Sequence, residues 1–413
     1  MSDAPQTPAP PTDAPAPPTD ALSPSTDALS PPLALSLDVS AVPARPAGAG
    51  QYTIALAQGL CARADIALTM LSRRGDEGRW SGWADGGAEV VGAVPVARPA
   101  RLAFEQVRFP RLLRATGVAV HHAPHYTMPE RAPVPCVVTI HDCTFFDHPE
   151  WHVRSKALLF RRAIRHAALH ASVLVCVSEV TATRLRACCD VRAPIVVAPH
   201  GVDHRRFTPG EMLVGSDGAL LEASGVPRDR PLVSYVGTLE PRKGVDALIA
   251  AFDRVAAVQR DAVLVLGGQA GWGLAGIEQA LAAARHGDRI IRTGYLLDAA
   301  VPALLRQSAV VVYPAIEEGF GLPALEALAC GAPLITTEGT AMAEMAHGAA
   351  TLVPSGDVAA LADVLALALE QGRESPGAVS RRALGLEVAA RFTWAASVDM
   401  HVGAYRMALS ASL

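Results

Sequence analysis

Short, uninterrupted Val/Ile/Leu runs alternate with helical stretches along this chain, and they do so in two successive sets. The first set occupies residues 33–39, 66–71, 118–121, 136–140, 173–177 and 195–198; the second occupies 232–236, 263–266, 290–293, 310–313 and 334–336. Strands that are apolar throughout, rather than at alternate positions, belong to parallel sheets, whose crossover helices cover both faces. The helix expected after Gly244 shows the covering surface: Val245, Leu248, Ile249, Phe252 and Val255 recur at three- and four-residue spacing and form one apolar stripe. A looser stretch, 203–230, with Pro209, Gly210, Gly215, Gly218 and Pro227, divides the two sets. The expected fold class is therefore α/β, with two Rossmann-like doubly wound domains facing a central cleft. The expected limits are 33–205 for the first domain, 206–390 for the second, and 391–413 for a C-terminal helix packing back across both. With 413 residues, half of them apolar, the chain has ample material for two cores.

Residues 1–32 have a different texture, almost entirely Ala, Pro, Ser, Thr and Asp, with Thr-Asp-Ala recurring at Thr12, Thr19 and Thr26. Prolines interrupt every turn of that seven-residue repeat, so no coiled coil is expected; the tail reads as disordered, a plain solvated extension or a docking segment. A formal net charge of −4 gives no global attraction to nucleic acid. The seven cysteines, Cys61, Cys136, Cys143, Cys176, Cys188, Cys189 and Cys330, contain no C-x-x-C pair and suit buried thiols in a reducing compartment. No basic-then-apolar leader and no run of about eighteen apolar residues is present, so a soluble cytoplasmic protein is expected.

Open parallel sheets bind ligands beyond the carboxyl ends of their strands, so chemistry belongs in the strand-to-helix loops. Three such loops stand out. Gly48-Ala49-Gly50-Gln51-Tyr52 precedes a helical run, where glycines let backbone N–H groups approach an oxygen-rich ligand; a flexible turn would look the same. In Gly237-Thr238-Leu239-Glu240-Pro241-Arg242-Lys243-Gly244, a planar fork and a point charge stand at a helix start, where a diphosphate would lie; the plain reading is a solvated basic turn with Glu240 as partner. The third runs from Glu317 through Glu318, Gly319, Phe320, Gly321, Leu322, Pro323 and Glu326 to Gly331. Pro323 suits the first helical position, which puts Glu326 in the first turn. A carboxylate accepts two hydrogen bonds from vicinal hydroxyls, so Glu326 fits a ribose diol and Glu318 fits sugar hydroxyls, although a first-turn acid also complements the helix dipole.

The run E-G-F-G-L-P-A-L-E-A-L-A-C-G-A-P resembles the E-x7-E signature of family-4 glycosyltransferases. The resemblance extends to V-G-T-L-E-P-R-K-G from Val236, T-I-H-D from Thr139, C-V-S-E from Cys176, A-P-H-G-V-D from Ala198 and R-F-T-W from Arg391. It implies a GT-B fold, a nucleotide-sugar donor held mainly by the second domain, retention at the anomeric carbon, and an acceptor held by the first domain. By position, Arg242 and Lys243 would contact the diphosphate, Glu318 the donor sugar and Glu326 the ribose. Gly48 and Gly50 would line the phosphate side, with Gly237, Gly319, Phe320, Gly321 and Leu322 around the donor. His141 would face the donor sugar from across the cleft, and Tyr295 and Leu296 after Gly294 would pack on the base. Thr238, Ala315 and Gln51 stand where relatives often carry a basic residue, a serine and an arginine.

A departing nucleoside diphosphate must be stabilised by a divalent ion or by fixed cations and dipoles. With no Asp-x-Asp motif and no His/Cys cluster of ligand spacing, the chain is expected to use Arg242 and Lys243 and no metal or other cofactor. His141 is assigned to sugar positioning, with a histidine bonded to a loop carbonyl as the plainer reading. His121, His122 and His125 are read as acceptor contacts or loop structure. Arg101, Arg108, Arg111 and Arg114, and Arg154, Arg161, Arg162 and Arg165, mark two basic helices of the first domain. These suit a weak peripheral contact at the inner membrane face or a phosphorylated acceptor, while a solvated face is the simpler reading. The function expected is transfer of a mannose- or glucose-type hexose to a hydroxyl acceptor, with GDP-mannose slightly preferred over UDP-hexose. A sugar-nucleotide epimerase and a non-catalytic nucleotide-sugar-binding protein are the competing classes.

Overall fold

Each apolar run lies in a strand between two layers of helices in the computed structural model, which describes residues 31–44, 46, 48–210 and 216–411. The expectation for the tail falls on residues 1–30, outside the described ones. The first sheet contains β1 (Leu33–Asp38), β2 (Ile66–Arg73), β3 (Glu89–Val94), β4 (Val120–Ala123), β5 (Cys136–Ile140), β6 (Val173–Cys176) and β7 (Ile195–Val197). The second contains β8 (Leu232–Val236), β9 (Val263–Gly267), β10 (Ile290–Gly294), β11 (Val310–Tyr313), β12 (Leu334–Thr337) and β13 (Thr351–Val353). All pairings are parallel, in the orders β3-β2-β1-β4-β5-β6-β7 and β10-β9-β8-β11-β12-β13. In each sheet the winding reverses between the first and fourth strands in chain order, which leaves an open crevice beyond their carboxyl ends.

The edge strands β3 and β13 are additions to the sequence expectation. Their residues are largely half-exposed, so the continuous apolar run that marks a central strand is diluted or too short to register. The helix Val245–Ala256 buries all five residues of its expected stripe against the second sheet.

The chain crosses between domains twice, and the crossings touch. Val202 N–H donates to the Phe392 carbonyl at 3.1 Å, and Gly201 lies against the backbone of Trp394. Beyond the second crossing, the helix Trp394–Ser410 packs on the first sheet, with Val398, Val402, Ala404, Tyr405 and Ala408 in that domain's core. A buried polar chain fastens it there. His401 Nδ1 meets only the Ser397 carbonyl (2.7 Å), so it carries the proton and Nε2 must accept from Tyr52 Oη (2.8 Å). Tyr52 then accepts from Thr139 Oγ1 (2.9 Å), Thr139 accepts from His122 Nε2 (2.8 Å), and His122 Nδ1 accepts from Tyr405 Oη (2.8 Å). Every proton is assigned with both imidazoles neutral, and burial accordingly holds His122 well below the ordinary histidine range and His401 at about 4.

Candidate functional site

The turn after β8 explains why Arg242 and Lys243 stand together. Pro241-Arg242-Lys243 forms one 3-10 turn, and Gly244, at φ 63°, starts the helix Val245–Ala256. A Cβ at Gly244 would lie 2.2 Å from the Pro314 carbonyl oxygen, so the turn can press against the loop after β11 only without a side chain. That loop supplies Glu318, whose carboxylate takes an ion pair from Lys243 Nζ and a second from Arg242 Nη1 at 3.5 Å, while Arg242 Nε donates to Glu240. Burial alone would raise the Glu318 pKa, but Lys243 and Arg242 outweigh it and hold the group at about 2. Burial and the neighbouring Arg242 lower the Lys243 pKa. Two cations and two carboxylates thus form a compact cluster on the floor of a cavity of about 420 Å³.

Opposite this cluster, the first domain contributes Gly48, at the start of the helix Ala49–Cys61, together with Tyr126, His141, Asp142 and His200. His141 is buried, and its Nε2 donates to the Pro124 carbonyl at 2.7 Å, so its Nδ1 keeps the free lone pair. The plainer reading of this residue is the one observed, a ring fixed by a loop carbonyl, and the fixed ring lines the cleft. Burial lowers its pKa, more than the Pro124 bond raises it, so the ring is neutral at neutral pH.

The third loop closes the cleft. A Cβ at Gly319 would fall 1.7 Å from the His141 carbonyl oxygen, and the Gly319 carbonyl accepts from Ser178 Oγ (2.7 Å) and Thr181 Oγ1 (3.1 Å) of the first domain. Two further contacts cross the same seam. Arg184 pairs with Glu317, and the Glu344 carboxylate accepts from Glu179 N–H (2.9 Å) and Val180 N–H (2.8 Å), satisfying two of the free donors at the start of the helix Glu179–Cys188.

A second cavity, of about 780 Å³, opens from the first across shared walls at Gly237, Thr238, Leu322, Pro323 and Glu326. Tyr295 and Leu296 line it, Leu296 buried and Tyr295 exposed at 61 %. The helix that carries Glu326 begins at Leu322, with Pro323 second, so Glu326 lies a full turn in rather than in the first turn. Its distance from the helix start removes most of the dipole reading. Burial pushes the Glu326 carboxyl up to about 7, with Arg206 pulling the other way. Among the described residues, no three His, Cys, Asp or Glu side chains gather as metal ligands would, and no helix is long and apolar enough to cross a membrane.

The cleft therefore gathers Arg242, Lys243, Glu318, Glu326, His141, Gly48, Gly237, Gly319, Phe320, Gly321 and Leu322, and its second cavity Tyr295 and Leu296. Gly50 does not line either cavity; its Cβ direction runs into Pro46 at 2.9 Å, which gives it a packing place behind Gly48. His121 and His122 are buried in the sheet, bonded to Ser36 and to Thr139 and Tyr405, and lie away from the cleft. Residues that the sequence reading passed over include Tyr126, Arg206, Gly268 and Met342. His200, inside the A-P-H-G-V-D run, also lines the cleft, and its buried Nδ1 has no hydrogen-bond partner among the described residues. The basic pair Arg205-Arg206 beside the domain crossing was the one available cue to Arg206.

Comparison with known proteins agrees with this geometry. Residues 46–206 match the family described as Glycosyltransferase Family 4, and residues 218–384 match Glycosyl transferases group 1. The chain is 26% identical over 292 residues to the O-antigen chain mannosyltransferase B of Escherichia coli, covering 70% of this chain and 74% of that one. It is 33% identical over 226 residues to the D-inositol 3-phosphate glycosyltransferase of Mycolicibacterium smegmatis, a match spanning 53% of this chain and about half (49%) of that relative. Among solved structures, Anabaena HepE in complex with UDP and glucose superposes with a TM-score of 0.70 at 19% identity, over 92% of this chain and all of the other (100%). With one family match on each domain, and both sheets doubly wound around a shared cleft, the chain belongs to the family-4 glycosyltransferases of GT-B fold.

Proposed function

We propose that this protein moves a hexose from a nucleoside-diphosphate donor to a hydroxyl acceptor with retention at the anomeric carbon. The observation that carries the reading is the half-buried Arg242–Lys243 pair at the start of a helix, which lines the same cleft as His141. In this reading the diphosphate takes the two cations from Glu318, and the released carboxylate accepts from hydroxyls of the donor sugar. Glu326 accepts from the ribose diol, and the base lies along Leu296 and Tyr295. The bond from the anomeric carbon to the phosphate oxygen breaks, the acceptor oxygen bonds to that carbon on the same face, and its proton passes to the departing phosphate. The neutral, carbonyl-anchored His141 positions the sugar. Arg242, Lys243 and the helix start stabilise the leaving charge without a metal ion.

GDP-mannose stands slightly ahead of a UDP-hexose as donor. A mannosyltransferase among the relatives supports the sugar, while a structural neighbour holding UDP supports the other base. A panel of nucleotide sugars, scored for heat stabilisation and donor hydrolysis in EDTA, tests the proposal. One donor should stabilise and turn over, and both effects should vanish in the Lys243→Ala/Glu326→Ala double variant. Binding without turnover for every acceptor would leave a carrier, and no stabilisation by any donor would remove the reading.

A further inference from the structure

Three cysteines of the first domain meet at one place. Cys143 precedes the short helix Thr144–Asp147, Cys188 ends the helix Glu179–Cys188, and Cys189 follows it. The Cys188 and Cys189 sulfurs lie 3.7 Å apart, and the Cys143 thiol is within hydrogen-bonding reach of Cys188. All three pack on one apolar cluster, Cys143 buried within it and the other two half-buried at its edge. The Arg165 guanidinium, seated over the Phe146 ring at 5.1 Å, adds a positive charge to the group.

Cys61 provides an internal contrast. It too is half-buried and is the last residue of a helix, Ala49–Cys61, where the carbonyl end of the helix disfavours a thiolate. Burial raises the Cys61 pKa, whereas hydrogen bonds from Cys143 and Cys189, with help from Arg165, hold that of Cys188 below the ordinary thiol range against burial. The thiolate is the form that oxidants meet. Geometry also selects a partner for Cys188. Consecutive Cα atoms are about 3.8 Å apart, short of the roughly 4.4–6.8 Å that a disulfide spans, so Cys188 and Cys189 can join only by distorting the peptide between them. Cys143 is under no such restriction. It stands two residues beyond His141, its thiol meets the Thr181 carbonyl at 4.0 Å, and the Thr181 hydroxyl holds the Gly319 carbonyl across the seam between the domains at 3.1 Å.

We propose that Cys188 and Cys143 form a peroxide-sensitive dithiol, in which Cys188 is oxidised first and Cys143 resolves it to a disulfide. The oxidant is a hydroperoxide. The Cys188 thiolate attacks one peroxide oxygen; an S–O bond forms, the O–O bond breaks, and the departing oxygen takes a proton, which leaves a sulfenic acid on Cys188. The Cys143 sulfur then attacks the Cys188 sulfur; the S–S bond forms, the S–O bond breaks, and the Cys143 proton leaves with the hydroxide as water. Two thiols thus give two electrons to one peroxide, and a reducing dithiol reverses the change. The new bond draws the Cys143 sulfur from Thr181 towards Cys188, and with it the loop that carries His141; the effect of that movement on turnover rests on the transferase reading above.

The reduced full chain is treated with hydrogen peroxide, blocked with N-ethylmaleimide, digested and mapped by mass spectrometry, with dimedone in a parallel sample to trap sulfenic acid. We expect a Cys143–Cys188 disulfide that dithiothreitol removes and that forms at least about tenfold faster than Cys61 is oxidised. Cys143→Ser should lose the disulfide and accumulate the dimedone adduct at Cys188, while Cys189→Ser should keep the disulfide. Oxidation of Cys61 as fast as Cys188, a disulfide between Cys188 and Cys189 instead, or an unmodified Cys188 overturns the proposal, and the native chain alone suffices to read each. Turnover of the oxidised chain should fall at least about tenfold and recover with dithiothreitol. Unchanged turnover overturns the link to the cleft, while the peptide map still decides the site. A native chain without turnover on any donor counts against the transferase reading instead and leaves the map as the test of this one.

Discussion

Replacing Gly319 by alanine tests whether domain closure, rather than donor binding, depends on this loop. The added Cβ would lie 1.7 Å from the His141 carbonyl oxygen, where ordinary contacts need about 3.2 Å, so the two loops must part by roughly 1.5 Å. That movement stretches the hydrogen bonds from Ser178 and Thr181 to the Gly319 carbonyl and draws His141 away from the Lys243–Glu318 pair. Misplacement of about 1 Å in a reacting geometry lowers turnover by about a hundredfold, and overpacking of this kind lowers stability by about 1–3 kcal/mol. Donor turnover and nucleotide affinity, measured side by side, separate the effects. Turnover should fall about a hundredfold while nucleotide affinity changes by less than about threefold, because Arg242, Lys243 and Glu326 all belong to the second domain. Ser178→Ala, which removes a bond without inserting a wedge, should fall between native and Gly319→Ala. Unchanged turnover in Gly319→Ala, or nucleotide affinity lost in parallel with turnover, would refute the reasoning.

Three other outcomes are expected. Lys243→Ala removes a leaving-group cation and leaves Glu318 with Arg242 alone, so turnover should fall by about a hundred- to a thousandfold in steady-state assays, and retention of more than about a third would count against the role. The Glu326 carboxyl, pushed up to about 7 by burial, accepts from a diol best when ionised, so affinity for the nucleotide sugar should rise by about tenfold from pH 6 to pH 8 and flatten in Glu326→Gln. In stability the sign is opposite. The native state holds this proton more tightly than the unfolded chain, so this group's contribution declines as pH rises from the ordinary carboxylate value to about 7. Tyr405→Phe leaves the buried His122 Nδ1 without its donor and should lower stability by about 1–3 kcal/mol, read by chemical denaturation, with turnover unaffected until unfolding begins.

What could be read from the sequence divides along physical lines. Central strands and the Val245 stripe were legible because full burial demands apolar residues at every covered position, whereas β3 and β13, at the edges, carry no such demand. Arg242, Lys243, Glu318 and Glu326 could be singled out because they stand in or just after glycine-bearing loops beyond the carboxyl ends of parallel strands. Their pairing could not, since the 75 positions between Lys243 and Glu318 are bridged only by the sheet order. Gly50 was misplaced because two glycines of one loop look equivalent until the helix axis assigns one to the cleft and one to Pro46. Glu326 was set one position too early, inside the first turn, because Pro323 takes the second rather than the first helical position. Tyr126 gave no sign at all: its φ is imposed by tertiary packing, and nothing in His125-Tyr126-Thr127 announces it.

The last helix also sets an order of assembly. The first sheet has all its strands once β7 leaves the ribosome, yet the surface around Tyr52 and His122 stays open until Trp394–Ser410 emerges. At ordinary elongation rates that interval of about 200 residues lasts roughly 10–40 s, long enough for an uncovered apolar face to meet other nascent chains. The second domain has no such debt, since its sheet and flanking helices are contiguous in the chain, and it can form while the earlier one waits. Of the two domains, the one synthesised first is thus the last to be completed.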